Sequence, residues 1–191
     1  ILSQAASTIV EGEIMQLLTG DDLQTPEEQY FEVIRCKTAA LFSAACEVSA
    51  AICNRSPEEH EALRQYGENL GITFQLIDDM LDYSSDSLTL GKKTGDDFYE
   101  GKVTLPVIIA YEAGHEKEKQ FWHRTMVEQN QQKNDFEQAL KYMKKYQAFS
   151  IIQSKANHYA TQAAQALEIF KDSEMKNLLQ RLAFYCVHRP S

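Results

Sequence analysis

Apolar residues in this chain recur mostly three and four positions apart, and almost nowhere in strict alternation. Over residues 1–18 they fall at Ile9, Ile14, Leu17 and Leu18, the spacing of a helix, before Gly20-Asp21-Asp22 interrupts. Thr25-Pro26-Glu27-Glu28 then gives an N-cap residue, a proline at the first helical position and a glutamate at the third. A long helix is expected from about Pro26 to Cys53. Ser56-Pro57-Glu58-Glu59 repeats the signal and opens a second long helix to about Tyr83. The segment from Ser84 to Val103 reads as a loop rich in Gly, Lys and Asp. Loops of that length inside a compact domain are usually functional or disordered. Thr104-Leu105-Pro106 starts a short apolar helix that ends near Gly114. Three or four amphipathic helices follow, with heads near His115, Asn134, Ser150 and Ser173. The expected fold class is all-α, a single helical bundle with no internal repeat.

Composition supports this reading. Only 8 Gly and 4 Pro interrupt 191 residues. The abundant Ala, Leu, Gln, Glu and Lys all favour helix. With 43% hydrophobic and 25% charged residues, the chain has the makeup of a globular domain with a sizeable core. A formal net charge of −9 and the lack of a basic stripe argue against nucleic acid as a partner. No apolar run approaches the roughly 18 residues of a membrane span, so no integral membrane segment is expected. No secretory signal is visible. Cys36, Cys46, Cys53 and Cys186 form no C-x-x-C pair and lie at no zinc-finger spacing, which points to reduced cysteines and a cytoplasmic location. The chain opens on Ile1-Leu2-Ser3-Gln4 without a helix cap, as though inside a helix. The expectation is a fragment whose N-terminal helices are missing.

Candidate chemistry is concentrated between Gly67 and Pro106. In Asp78-Asp79-Met80-Leu81-Asp82, a helix puts Asp78 and Asp82 on one face, with Asp79 about 100° around. These carboxylates follow the apolar stretch Ile72-Thr73-Phe74-Gln75-Leu76-Ile77. Carboxylates among such neighbours are costly to desolvate without compensation. A divalent ion such as Mg²⁺, which takes oxygen ligands from carboxylates and phosphates, would supply it. A solvated acidic helix end is the plainer alternative. Downstream, Lys92, Lys93 and Lys102 lie among Gly91, Gly95, Gly101 and further aspartates. Lysine is a point-charge binder of phosphate, and glycine lets the backbone approach an anion. Lys37-Thr38 sits in the first long helix before the apolar run Ala39-Ala40-Leu41-Phe42. On the residues alone a snorkelling lysine is the favoured explanation.

Phe74-Gln75, Asp78-Asp79, Asp82, Gly91-Lys92, Gly95-Asp96 and Gly101-Lys102-Val103-Thr104-Leu105-Pro106, in this order, resemble the second aspartate-rich region of trans-isoprenyl diphosphate synthases. Lys37-Thr38 resembles the Lys-Thr pair of that family. Glu11-Gly12-Glu13 and the stretch from Cys36 to Val48 look most like its long-chain, octaprenyl-type members. The likeness is dense from Ser7 to about Gly114 and thin beyond. It implies an all-α isoprenoid-synthase bundle, of which residues 1–191 are the C-terminal part of a single domain. It implies a Mg²⁺-dependent prenyltransferase that joins isopentenyl diphosphate to an allylic prenyl diphosphate, as a homodimer. Asp78, Asp79 and Asp82 are then expected as metal ligands, directly or through water. Lys37, Lys92 and Lys102 are expected on diphosphate oxygens. Thr38 and Gln75 are expected beside the developing allylic cation, with Gln16 nearby. Gly67 and Gly71 are expected to permit close helix packing.

The family's first aspartate-rich motif is absent, and Asp21-Asp22 is too short and badly placed to replace it. The chain alone is therefore expected to be inactive. A non-catalytic partner subunit of a synthase is the alternative, and a purely structural bundle a third reading. Asp82 and Asp86 stand where a class I terpene cyclase usually carries a hydroxyl residue and a glutamate, which argues against a cyclase.

Overall fold

The computed structural model describes residues 1–20, 22–84 and 95–188, and among these there are helices and no strand. Helix α1 spans Leu2–Thr19. The first long helix runs as α2 (Glu27–Ile34), a π-helical turn (Arg35–Ala39) and α3 (Ala40–Ile52). The second is α4, Pro57–Asp82. The short α5 (Asp96–Tyr99) and the apolar α6 (Leu105–Glu112) follow. Then come α7 (Glu116–Trp122), a second π turn (His123–Val127), α8 (Asp135–Lys145), α9 (Ala148–Ala166) and α10 (Glu174–His188).

Local chemistry explains most of the boundaries. At the head of α4 the Glu59 amide donates to Ser56 Oγ (3.3 Å), and the Ser56 amide donates back to Glu59 Oε2 (3.1 Å). This is a complete capping box. The matching signal at Thr25 fails. Pro26 itself occupies the cap of α2, and the buried Thr25 hydroxyl donates to the Thr19 carbonyl at 3.1 Å. The threonine satisfies the open end of α1 instead of the start of α2. Helix α9 starts before the expected Ser150, because Gln147 turns into the left-handed region (φ 56°) and caps it. At Ser173 the expected cap forms, Oγ accepting from the Lys176 amide at 3.1 Å.

Helix α4 is the centre of the bundle, packed against α3 on one side and α9 on the other. Its partner α9 presents Ala148, Ile152, Ala156, Ala160 and Ala163, all fully buried at helical spacing. Small residues let the two backbones approach. Helix α6 is buried from Leu105 through Ala110, as an apolar helix without a polar face must be. Trp122, Met126 and Met143 complete the core at its far end. A buried carboxylate lies at that end: Glu118 accepts from Lys145 Nζ at 2.7 Å and from the Tyr146 hydroxyl. Burial alone would push its carboxyl up, but these donors hold it down at about 2.

The apolar positions of α1 do not all face inward. Ala5 and Gly12 are buried, whereas Val10, Ile14, Leu17 and Leu18 are each more than half exposed. Cys36, Cys46 and Cys186 are partly buried and Cys53 is exposed, and no disulfide joins the four. Among the described residues no helix is long and apolar enough to cross a membrane.

Candidate active site

A π turn adds a residue to a helical turn, and such bulges frequently occur at functional sites. Here it carries Lys37 and Thr38. Helix α1 lies directly on it because residue 12 is glycine. A Cβ there would sit 2.6 Å from the Lys37 amide nitrogen and 2.8 Å from Cys36 Cβ. On the other side runs α4, whose Gln75, Asp78 and Asp79 share one face at i, i+3 and i+4. A pocket of about 230 Å³ opens between them. Lys37, Thr38, Gln75, Asp78, Asp79 and Lys102 all line it, together with Gln16, Tyr30, Asp97 and Thr104.

One chain of hydrogen bonds crosses the floor of the pocket. The Thr38 hydroxyl donates to Gln75 Oε1 at 3.0 Å. The Gln75 amide nitrogen donates to Asp79 Oδ1 at 2.7 Å, and the Tyr30 hydroxyl donates to Asp79 Oδ2 at 2.7 Å. Asp79 is 5% exposed. Burial pushes its carboxyl up to about 7, opposed by the Tyr30 and Gln75 donors and reinforced by repulsion from Asp97 and Asp78. Burial and the neighbouring Asp79 together push the Tyr30 hydroxyl well above its ordinary value.

The lysines are held at the rim. Lys37 Nζ pairs with Glu13 at 2.9 Å and donates to Gln16. Lys102 pairs with Asp97 at 3.3 Å and with Glu100 at 2.5 Å, which raises its ammonium above the ordinary value. Asp97 is itself pushed up by burial and by Asp78, against the pull of Lys102. Lys92, with Gly91 and Lys93, lies outside the described residues.

Asp82 points elsewhere. Its Oδ2 accepts from the Asp97 amide at 3.0 Å, and its carbonyl accepts from the Gly95 amide at 2.8 Å. It does not line the pocket. Its visible work is to seat α5, and thereby to bring Asp97 to the pocket.

Sequence reasoning gave no role to Asp97 or Tyr30. Asp97 belongs to an acidic pair beside a glycine, a signal present in the text of the chain. Tyr30 precedes Lys37 by two helical turns and so shares its face, a second signal that was available.

The donor chemistry suits a hard cation. Asp78, Asp79 and Asp97 repel one another around a partly desolvated pocket, and every donor is oxygen. Among the described residues no three carboxylate, thiol or imidazole side chains enclose a metal by themselves. Carboxylate oxygens are the kind of donor that Mg²⁺ takes, one or two at a time, with water and phosphate completing its shell.

Fold and pocket together define an all-α protein of the isoprenoid-synthase type. The family described as Polyprenyl synthetase matches residues 1–143, and the chain belongs to it. It is 39% identical over 189 residues to the octaprenyl diphosphate synthase of Escherichia coli (strain K12), covering 99% of this chain and 58% of that one. The crystal structure of a decaprenyl diphosphate synthase from Rhodobacter capsulatus matches with a TM-score of 0.93 at 42% identity, over 98% of this chain and 58% of that one. A polyprenyl synthase from Caulobacter crescentus CB15, complexed with calcium and isoprenyl diphosphate, matches with a TM-score of 0.94 at 39% identity, over 100% of this chain and 58% of that one. The chain thus spans under two thirds of the length of these relatives.

Proposed function

We propose that this chain is the C-terminal part of a single polyprenyl synthase domain, and that the full-length protein condenses isopentenyl diphosphate with an allylic prenyl diphosphate to give a long-chain trans-polyprenyl diphosphate. The observation that carries this reading is the convergence of Lys37, Thr38, Gln75 and Asp78 on one pocket from two separate helices. The relatives named octaprenyl and decaprenyl diphosphate synthase support the product class. Exposed Val10, Ile14, Leu17 and Leu18 on α1 support a larger assembly, built from further helices of the same domain and a homodimer partner. A cytoplasmic location belongs to the same reading.

Each residue then has a task. Asp78, with Asp97 and water, would hold Mg²⁺ at the mouth of the pocket. The bound ion neutralises charge on the leaving diphosphate and acts as a Lewis acid. Lys37 and Lys102 exchange their present carboxylate partners for diphosphate oxygens, and Lys92 is assigned the same task from its place in the motif. As the allylic carbon–oxygen bond breaks, positive charge develops on the prenyl fragment. Thr38 Oγ1 and Gln75 Oε1 direct oxygen lone pairs toward that charge without becoming covalent partners. The apolar walls formed by Val33 and Ile34 keep water from capturing the cation. The double bond of isopentenyl diphosphate then attacks, and loss of a proton completes the elongation.

The test is direct. Full-length protein is incubated with labelled isopentenyl diphosphate, an allylic diphosphate and Mg²⁺, and the extracted products are sized. Polyprenyl products longer than the allylic primer are expected. A well-folded protein that binds both diphosphates and elongates neither would favour a partner subunit instead.

A further inference from the structure

Asp79 lies in the floor of the pocket and is 5% exposed. Both of its carboxylate oxygens are already engaged within the protein: Oδ2 by the Tyr30 hydroxyl and Oδ1 by the Gln75 amide, each at 2.7 Å. We propose that Tyr30 and Asp79 are a positioning pair that fixes which end of the Gln75 amide faces the reacting carbon.

An amide side chain has one end that donates and one that accepts, and rotation by a half turn exchanges them. Both Asp79 oxygens accept in this pocket, Oδ1 from the Gln75 amide nitrogen and Oδ2 from the Tyr30 hydroxyl. Gln75 must therefore turn its NH₂ end to Asp79. Its carbonyl oxygen is left facing Thr38 and the pocket, where the Thr38 hydroxyl meets it at 3.0 Å. In the opposite orientation the NH₂ end would aim N–H dipoles at a developing cation and destabilise it. Asp79 thus chooses the sign of the dipole that Gln75 presents.

Tyr30 fixes Asp79 in turn. The tyrosine reaches from α2 to α4, across 49 residues of sequence, to make this bond. It is buried at 6% exposure, and its ring packs edge-on against Phe31 at 5.5 Å. A locked ring holds its hydroxyl in one place, and the carboxylate it engages cannot turn toward the mouth of the pocket. This assigns Asp79 a task different from the metal ligation expected of its motif, and gives Tyr30 a task where the motif gives none. The inference rests on the proposed synthase reaction for its kinetic consequence, but the orientation of Gln75 can be observed without turnover.

The experiment has two arms on the full-length protein. In the first, the side-chain amide protons of Gln75 are followed by NMR hydrogen exchange, assigned by their disappearance in Gln75→Leu. Asp79→Asn is expected to speed their exchange by about tenfold or more, as loss of a charge-assisted bond should. Unchanged protection overturns the proposal, whether or not the protein is an active synthase. In the second arm, Tyr30→Phe is expected to lower kcat by about tenfold in the wild-type background and by less than about twofold in Gln75→Leu, the signature of two residues acting through one another. KM for the allylic diphosphate and the half-saturating Mg²⁺ concentration should stay where they are. Equal losses in both backgrounds, or a raised Mg²⁺ requirement in Tyr30→Phe and Asp79→Asn, would overturn it. Thermal melts of each variant accompany both arms. Should the wild-type protein show no turnover, the synthase reading fails, and the exchange arm alone decides this one.

Discussion

Asp78→Asn in the full-length synthase is expected to lower kcat by roughly 10²–10³, the scale of losing one preorganised group that stabilises transition-state charge. The substitution keeps shape and removes charge. Asp78 lies on α4 and lines the pocket, one turn from Gln75. Its charge adds to the load on both Asp79 and Asp97, whose carboxyls it pushes upward. Such mutual repulsion is tolerable where a cation is to be held and is a cost elsewhere. The metal-free variant should therefore melt at or above the wild-type temperature while losing turnover. If Asp78 were only a solvated helix-end carboxylate, the rate would hardly move and stability would stay within about 0.5 kcal/mol. Steady-state turnover at saturating Mg²⁺, beside thermal melts, separates these outcomes.

Gly67→Ala is expected to destabilise the protein by about 3 kcal/mol, the upper part of the usual range for overpacking. Helix propensity alone argues the other way, since Ala is favoured over Gly inside a helix by about 0.8–1 kcal/mol. Packing decides the sign. A Cβ on Gly67 would meet the Phe42 carbonyl oxygen of α3, with the Phe42 carbonyl carbon and Ser43 Cα each 2.7 Å away. All three are backbone atoms, so no side chain can turn aside. The two helices must separate, and α4 also carries Gln75, Asp78 and Asp79. Turnover should fall along with the melting temperature. A melting temperature equal to or above wild type would show that α3 and α4 can slide apart at no cost.

The parts of the site that were legible in the sequence are those carried by a single helix. The Ser56 capping box marked the head of α4, and helical spacing put Asp78 and Asp82 on one face, whereas it is Gln75, Asp78 and Asp79 that the pocket gathers. Lys37-Thr38 was legible as a polar pair in an apolar helix. The π turn beneath it was not, because no residue type marks one; α1 and α4 both pack against that stretch. Asp97 reaches the pocket only because Asp82 seats α5, a bond across 15 residues. Tyr30 meets Asp79 across 49. Tyr30's place on the Lys37 face was legible, but neither of these pairings could be read from local periodicity. The failed cap at Thr25 has the same origin: the residue had two uses, and the tertiary one prevailed. The outer face of α1 was apolar in the sequence, but which side of the helix the bundle would cover depended on Gly12 fitting against Cys36 and Lys37.

The central claim is that this pocket binds a diphosphate through a magnesium ion held by Asp78. Calorimetric titration of inorganic diphosphate into full-length wild type and Asp78→Asn, each with and without Mg²⁺, tests it most directly. Mg²⁺ should tighten binding to the wild type by roughly tenfold or more, and Asp78→Asn should lose most of that gain while remaining folded. An equal gain from Mg²⁺ in both proteins would contradict the account.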